Sequence, residues 1–144
     1  MKKIIFILFL LPILSYSQSN EKYKEFNFGV ILIDPFYSNL VDGLFSDDFE
    51  VYPGASFLFG KTHYFNNNTL LDYQAGFAFP TVVTGKIGFG IGNSDFATVV
   101  GVRPWPPTAY LQLSINQKTN FSIEYGEPEM WGDALIITYG IRFY

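Results

Sequence analysis

Apolar and polar residues alternate one by one along most of this chain. After a polar lead-in, "SNEKYKE", the alternation begins: in "FNFGVILI", Phe26, Phe28, Val30 and Leu32 share one parity, and Asn27 and Gly29 the other. "PGASFLFGK" sets Ala55, Phe57 and Phe59 against Ser56, Leu58 and Gly60. "LLDYQAGFAF" sets Leu71, Tyr73, Ala75, Phe77 and Phe79 against Asp72, Gln74, Gly76 and Ala78. In "VVTGKIGFGIG", Val83, Ile87, Phe89 and Ile91 oppose Thr84, Lys86, Gly88, Gly90 and Gly92. "ATVVGVR" is less regular, with Val100 and Val102 opposite Gly101 and Arg103. Leu111, Leu113 and Ile115 then oppose Tyr110, Gln112 and Ser114, and Phe121, Ile123 and Tyr125 oppose Ser122, Glu124 and Gly126. The closing "ALIITYGIRFY" puts Leu135, Ile137, Tyr139, Ile141 and Phe143 on one face, with Thr138, Gly140 and Arg142 on the other. A period of two is that of a strand, whose successive side chains point to opposite faces.

Turn-forming stretches separate the eight segments: "DPFYSNLVDGLFSDD", "FNNNT", "PT", "GNSD", "RPWPPT", "NQKT" and "EPEMWGD". Only "YSNLVDGLF" hints at a helical period, and then for a short helix at most. Eight regularly spaced strands in one domain predict an all-β fold, an eight-stranded antiparallel up-and-down β-barrel.

The first residues follow another pattern. Lys2 and Lys3 precede an apolar run from Ile4 to Leu14, then Ser15, Tyr16 and Ser17. A basic start, a short apolar stretch and small residues before a cleavage point predict a secretory signal peptide over 1–17, with the barrel domain at 18–144. The run is too short for a membrane-spanning helix, which needs roughly 20 apolar residues. An exported chain without cysteine is not stapled by disulfides. The net charge is −4 and becomes more negative once Lys2 and Lys3 are removed, which argues against nucleic acid as a partner. Charged residues make up only 15% of the chain, against roughly 25% in soluble proteins, while aromatics reach 19%. Such a composition suits a sheet embedded in a membrane.

The polar parity decides which face points inward. It carries Gly, Ser, Thr, Gln and Ala with isolated charges at Asp72, Lys86, Arg103, Glu124 and Arg142. A sheet face in water usually carries more Lys and Glu. The narrow interior of an eight-stranded barrel instead needs small residues and charges that neutralise one another. The five charges are therefore expected to form an ionic network that plugs the lumen. The apolar parity then faces lipid through Phe57, Phe59, Tyr73, Phe77, Phe89, Leu111, Leu113, Phe121, Ile137, Tyr139, Ile141 and Phe143. A first connection rich in acid (Asp42, Asp47, Asp48, Glu50), together with "RPWPP" and "EPEMWGD", suits the outer side of a membrane. The short polar turns suit the periplasmic side. The third connection, "PT", is shorter than outer loops usually are.

On these residues the chain resembles the small eight-stranded outer-membrane β-barrel proteins of the OmpA/OmpX type from Gram-negative bacteria, a resemblance of pattern over the mature segment. It implies a transmembrane β-barrel in the cell outer membrane, in contact with outer-membrane lipid. The end "YGIRFY" looks like the signal by which the β-barrel assembly machinery recognises such proteins, which gives Tyr139, Ile141, Phe143 and Tyr144 that role. In the family the final residue is the outward aromatic. Here the outward parity ends at Phe143, with Tyr144 one position beyond, so the register expected is Phe143 outward and Arg142 inward.

Little in the sequence suggests catalysis, and no cofactor or metal is expected. His63 is the only histidine, which with no cysteine excludes the usual His/Cys metal and nucleophile arrangements. "GFGIG" lacks the strand-then-helix setting of a nucleotide loop, and its alternate glycines are better read as making room in a narrow lumen. "RPWPPT" reads as a stiff loop displaying Trp105, which with Trp131 forms an outer contact patch or an interfacial anchor. The expected function is that of a non-enzymatic, monomeric outer-membrane barrel with a plugged polar lumen and a structural or surface-interaction role. Two alternatives remain: a soluble periplasmic barrel with an aromatic interior that binds an apolar ligand, and an outer-leaflet lipid-modifying enzyme using His63.

Overall fold

The computed structural model describes residues 19–34, 50–65, 67–126 and 133–144. The signal at 1–17, the first connection with its acidic run, and the seventh connection with Trp131 lie outside them. Eight strands occupy most of the described chain: β1 Ser19–Asp34, β2 Glu50–Tyr64, β3 Thr69–Phe79, β4 Val82–Gly92, β5 Phe96–Trp105, β6 Pro107–Ile115, β7 Thr119–Gly126 and β8 Asp133–Phe143. Each pairs antiparallel with its neighbours in chain order, and β8 closes onto β1, with Phe28 opposite Tyr139 and Val30 opposite Ile137. The fold is therefore a closed, eight-stranded, up-and-down barrel. Closure gives every strand two neighbours, leaving only overhanging ends such as Ser19–Tyr23 of β1 paired on one side.

Following lateral partners once around the wall from Lys22 leads through Lys61, Tyr73, Ile87, Val102, Ala109, Tyr125 and Leu135. The path returns to β1 at Leu32, ten positions beyond its start. With strands ~4.8 Å apart and a rise of ~3.3 Å per residue, that stagger tilts the strands about 40° from the barrel axis.

Two segments differ from the sequence reading. The polar lead-in "SNEKYKE" is not a leader to β1 but part of it, because the alternation continues backwards: Lys22 and Lys24 stay outside, and Tyr23 and Glu25 are buried inside. "RPWPPT" is not a loop. Arg103 to Trp105 belong to β5 and Pro107 and Thr108 to β6, leaving Pro106 alone as the turn. Pro104 and Pro107 face each other at the end of the ladder, where missing N–H donors cost least.

One end of the barrel, the turn end, carries the turns after β2, β4 and β6. Asn93 Oδ1 accepts from the N–H groups of Asp95 and Phe96 in the β4–β5 turn. The β6–β7 turn bends through Asn116 and Gln117, both at positive φ (50° and 57°), the pattern of a tight hairpin. The other end carries the connections after β1, β3, β5 and β7. Two small apolar clusters fill part of the interior: Leu70, Ala97, Val99 and Tyr110 toward the turn end, and Ile31, Ile33 and Ile136 toward the opposite end.

Candidate functional site

All five sequence-predicted interior charges lie inside the wall and are nearly fully buried. Their ion pairs fall into two groups rather than one network. Glu124 on β7 anchors the first. Arg103 reaches it through two parallel hydrogen bonds, Nε to Oε2 at 2.7 Å and Nη2 to Oε1 at 2.8 Å, and Lys86 Nζ lies 2.5 Å from Oε1. Neutral donors occupy the remaining lone pairs: Ser122 Oγ at 3.2 Å and Thr108 Oγ1 at 3.3 Å. Arg103 also donates to Thr84 Oγ1 (2.8 Å), which in turn donates to the Trp105 carbonyl (3.0 Å).

Local backbone geometry brings both cations to the same carboxylate. The register between β4 and β5 shifts between Gly85 and Ile87, so Arg103 and Pro104 together face Lys86. A bulge of this kind re-aims a side chain. The less regular pattern of "ATVVGVR" has a different cause: its in–out alternation is intact, but Ala97 and Val99 point inward and join the cluster with Leu70 and Tyr110.

Arg142 on β8 centres the second group. Its Nε donates to Glu25 Oε2 (2.6 Å), and its Nη2 donates to the Tyr23 hydroxyl (3.0 Å) and lies 3.4 Å from Asp72 Oδ2. The Tyr23 hydroxyl donates to Asp72, whose two oxygens lie 2.9 Å away, and Thr62 Oγ1 donates to Asp72 Oδ1 at 2.5 Å. Asn120 Nδ2 donates to Glu25 Oε2 (2.6 Å). The Arg142 guanidinium also sits 3.8 Å over the Tyr23 ring, close enough for a cation–π attraction.

Sequence reasoning missed Glu25 and Tyr23. With Glu25 included, the fully buried charges are three carboxylates (Glu25, Asp72, Glu124) and three cations (Lys86, Arg103, Arg142), all paired. Glu21, on the same face of β1 at the turn end, is half-buried and stands outside these ion pairs. The clue was available in the parity of Lys22, Lys24, Phe26 and Phe28, which puts Tyr23, Glu25 and Asn27 on the opposite face. Between the groups, Gln74 and Gln112 are buried with amides that find no partner among the described residues, and buried amides of this kind are positions for ordered water.

Inward glycines make this packing possible. A Cβ at Gly60 would collide with the Tyr23 ring, and one at Gly88 would collide with the Tyr110 hydroxyl. The alternate glycines of "GFGIG" thus leave space for a large side chain across the lumen.

The residues predicted to face lipid all point outward, and all but Tyr139 are exposed. Tyr139 is half-buried between Phe28 and Phe121, with ring centroids 5.2 and 5.0 Å away. At the end of β8, Phe143 is 54% exposed and Arg142 only 5%. Tyr144 is exposed at the turn end, where its hydroxyl donates to the Gln117 carbonyl at 2.9 Å. Trp105 is exposed at the end of β5. His63 lies on the outward side of β2, stacked on Tyr73 at 5.6 Å between centroids. His63 Nε2 is 3.4 Å from the Tyr73 hydroxyl.

Comparison of the chain with protein-family models, with curated proteins and with solved structures gave no match. The residues themselves define a closed barrel with a largely apolar outer wall and an interior whose fully buried charges are paired.

Proposed function

We propose that this chain is a transmembrane barrel of the small OmpA/OmpX type, exported to the cell outer membrane, with a plugged lumen and a non-enzymatic, structural or surface-interaction role. One observation carries this reading: strand after strand of the outer wall is apolar, with described charges only at Lys22, Lys24 and Lys61 near the turn end, while the paired charges are buried inside. Exposed apolar patches on soluble monomers seldom exceed a few hundred Å². Here Phe28, Phe57, Phe77, Phe89, Leu111, Phe121 and Ile137 form an apolar surface on strand after strand around the wall. The 11-residue strands β3 and β4, tilted about 40°, cover roughly 27 Å along the axis, close to the ~25 Å apolar band of membrane barrels.

The paired interior supports a plugged lumen. Taking two charges out of water costs several kcal/mol per ion unless geometry and extra hydrogen bonds compensate, and Glu124 and Arg142 have both. Such contacts resist the opening that an aqueous channel requires. A soluble barrel that held an apolar ligand would need the phenylalanine-rich face inside. The described interior is instead mostly polar, small or ionic, with two small apolar clusters. The outward parity through Tyr139, Ile141 and Phe143 supports β8 as the strand recognised by the assembly machinery.

Fractionation tests this directly. The account expects the protein in the membrane pellet after an alkaline carbonate wash, and a folded band that shifts on a denaturing gel only after heating. Release into the carbonate supernatant would sink it.

A further inference from the structure

Among the outward-facing side chains described, the only charged ones are Lys22, Lys24 and Lys61, and they lie together. Lys22 and Lys61 are direct cross-strand partners, and Lys24 follows two positions along the same face of β1. Like charges placed opposite each other destabilise a sheet. None of the three forms an ion pair among the described residues. Of the two carboxylates beside them on β1, both on the inward face, Glu25 is committed to Arg142 and Glu21 makes no ion pair with the lysines. Three cations without an ion pair therefore crowd one spot on a wall whose other described outward side chains are uncharged.

Their surroundings are equally specific. The lysines border an open pocket of about 590 Å³ on the outer surface, framed by Phe59, Tyr73, Phe143 and Tyr144. The pocket sits at the turn end, where the apolar wall begins. A lysine at such an edge lays its methylene stem along apolar surface and turns its ammonium toward the headgroup layer.

We propose that Lys22, Lys24 and Lys61 form a binding site for the headgroup phosphate of an anionic phospholipid in the leaflet at the turn end, with its acyl chains lying along the apolar wall. This inference rests on the membrane reading above. A lipid suits the site better than a free anion because the cationic spot is continuous with the apolar wall. A phosphate with attached chains satisfies both at once.

The test uses the full chain folded into neutral phosphatidylcholine vesicles that contain a small fraction of phosphatidylglycerol. The barrel is then extracted, and its retained lipid counted by native mass spectrometry. The wild type should retain phosphatidylglycerol in preference to phosphatidylcholine. Each Lys→Gln substitution should weaken the preference about fivefold, the effect of one basic residue near an anionic surface, and K22Q/K24Q/K61Q should abolish it. The triple Lys→Arg variant should keep it. Heat-dependent gel migration, unchanged in all variants, shows that each barrel is folded. Equal retention by the wild type and the triple Gln variant would overturn the site while leaving the membrane reading intact. Displacement of the lipid by millimolar inorganic phosphate, with equal protection of the barrel by phosphate alone, would overturn the lipid as its occupant. Failure of the wild type to insert would overturn both.

Discussion

Arg142 and Phe143 are adjacent in the chain and end in opposite surroundings. Arg142 is held in the lumen by Glu25, Tyr23 and Asp72, while Phe143 stands on the outer wall. The contrast repeats along every strand and teaches that the two faces are stabilised differently. The interior depends on particular partners at particular distances, so a change of one atom type there leaves a buried charge alone. The outer wall depends on being apolar, so it tolerates any apolar residue of similar size and rejects charge.

The sharpest break in that contrast is Glu124→Gln. It leaves Lys86 and Arg103 buried without a carboxylate, and the expected loss is about 3–5 kcal/mol, read as a lower urea midpoint for the barrel in vesicles. Replacing Lys86, Arg103 and Glu124 together by apolar residues should cost less than Glu124→Gln alone, because no orphan charge remains. If the triple variant were the less stable one, pairing would not be what the interior depends on.

The outer wall breaks in the complementary way. Leu111→Arg, in the middle of β6, should cost about 2–4 kcal/mol in a bilayer. An effect near zero in the same urea titration would mean that this face meets water. Glu25→Gln probes the second ionic group. Arg142 keeps Asp72 and the Tyr23 ring, so a loss of roughly 1–3 kcal/mol is expected, below that for Glu124. A loss as large as that of Glu124→Gln would contradict the division into two groups. The mildest change is Leu113→Ile on the wall, expected within about 0.5 kcal/mol of wild type. A larger shift would mean that outer positions need specific partners after all.

Much of this was legible in the sequence because a period of two assigns every residue to a face. Eight strands, the outward position of Phe143 and the burial of five interior charges all follow from parity. Glu25 and Tyr23 were hidden because "SNEKYKE" has the composition of a solvated tail, and composition outweighed the parity that continued through it. The role of "RPWPPT" was hidden because prolines usually signal a loop, whereas at the end of a ladder they replace donors that have no acceptor to find. Which carboxylate meets which cation was not legible at all. Asp72 and Arg142 are 70 positions apart in the chain and meet only through the stagger with which the wall closes. That stagger depends on all eight pairings together, including the bulge beside Lys86.

The central claim is that the outer wall lies in lipid, and the absence of native cysteine allows a direct test. A single cysteine at Leu111→Cys is compared with one at Asn93→Cys in the β4–β5 turn, both in the full chain in permeabilised native membranes. The account predicts that a water-soluble maleimide labels the turn position readily and the wall position at least tenfold more slowly, while a lipid-soluble maleimide labels the wall. Equal labelling of both positions by the water-soluble reagent would contradict it.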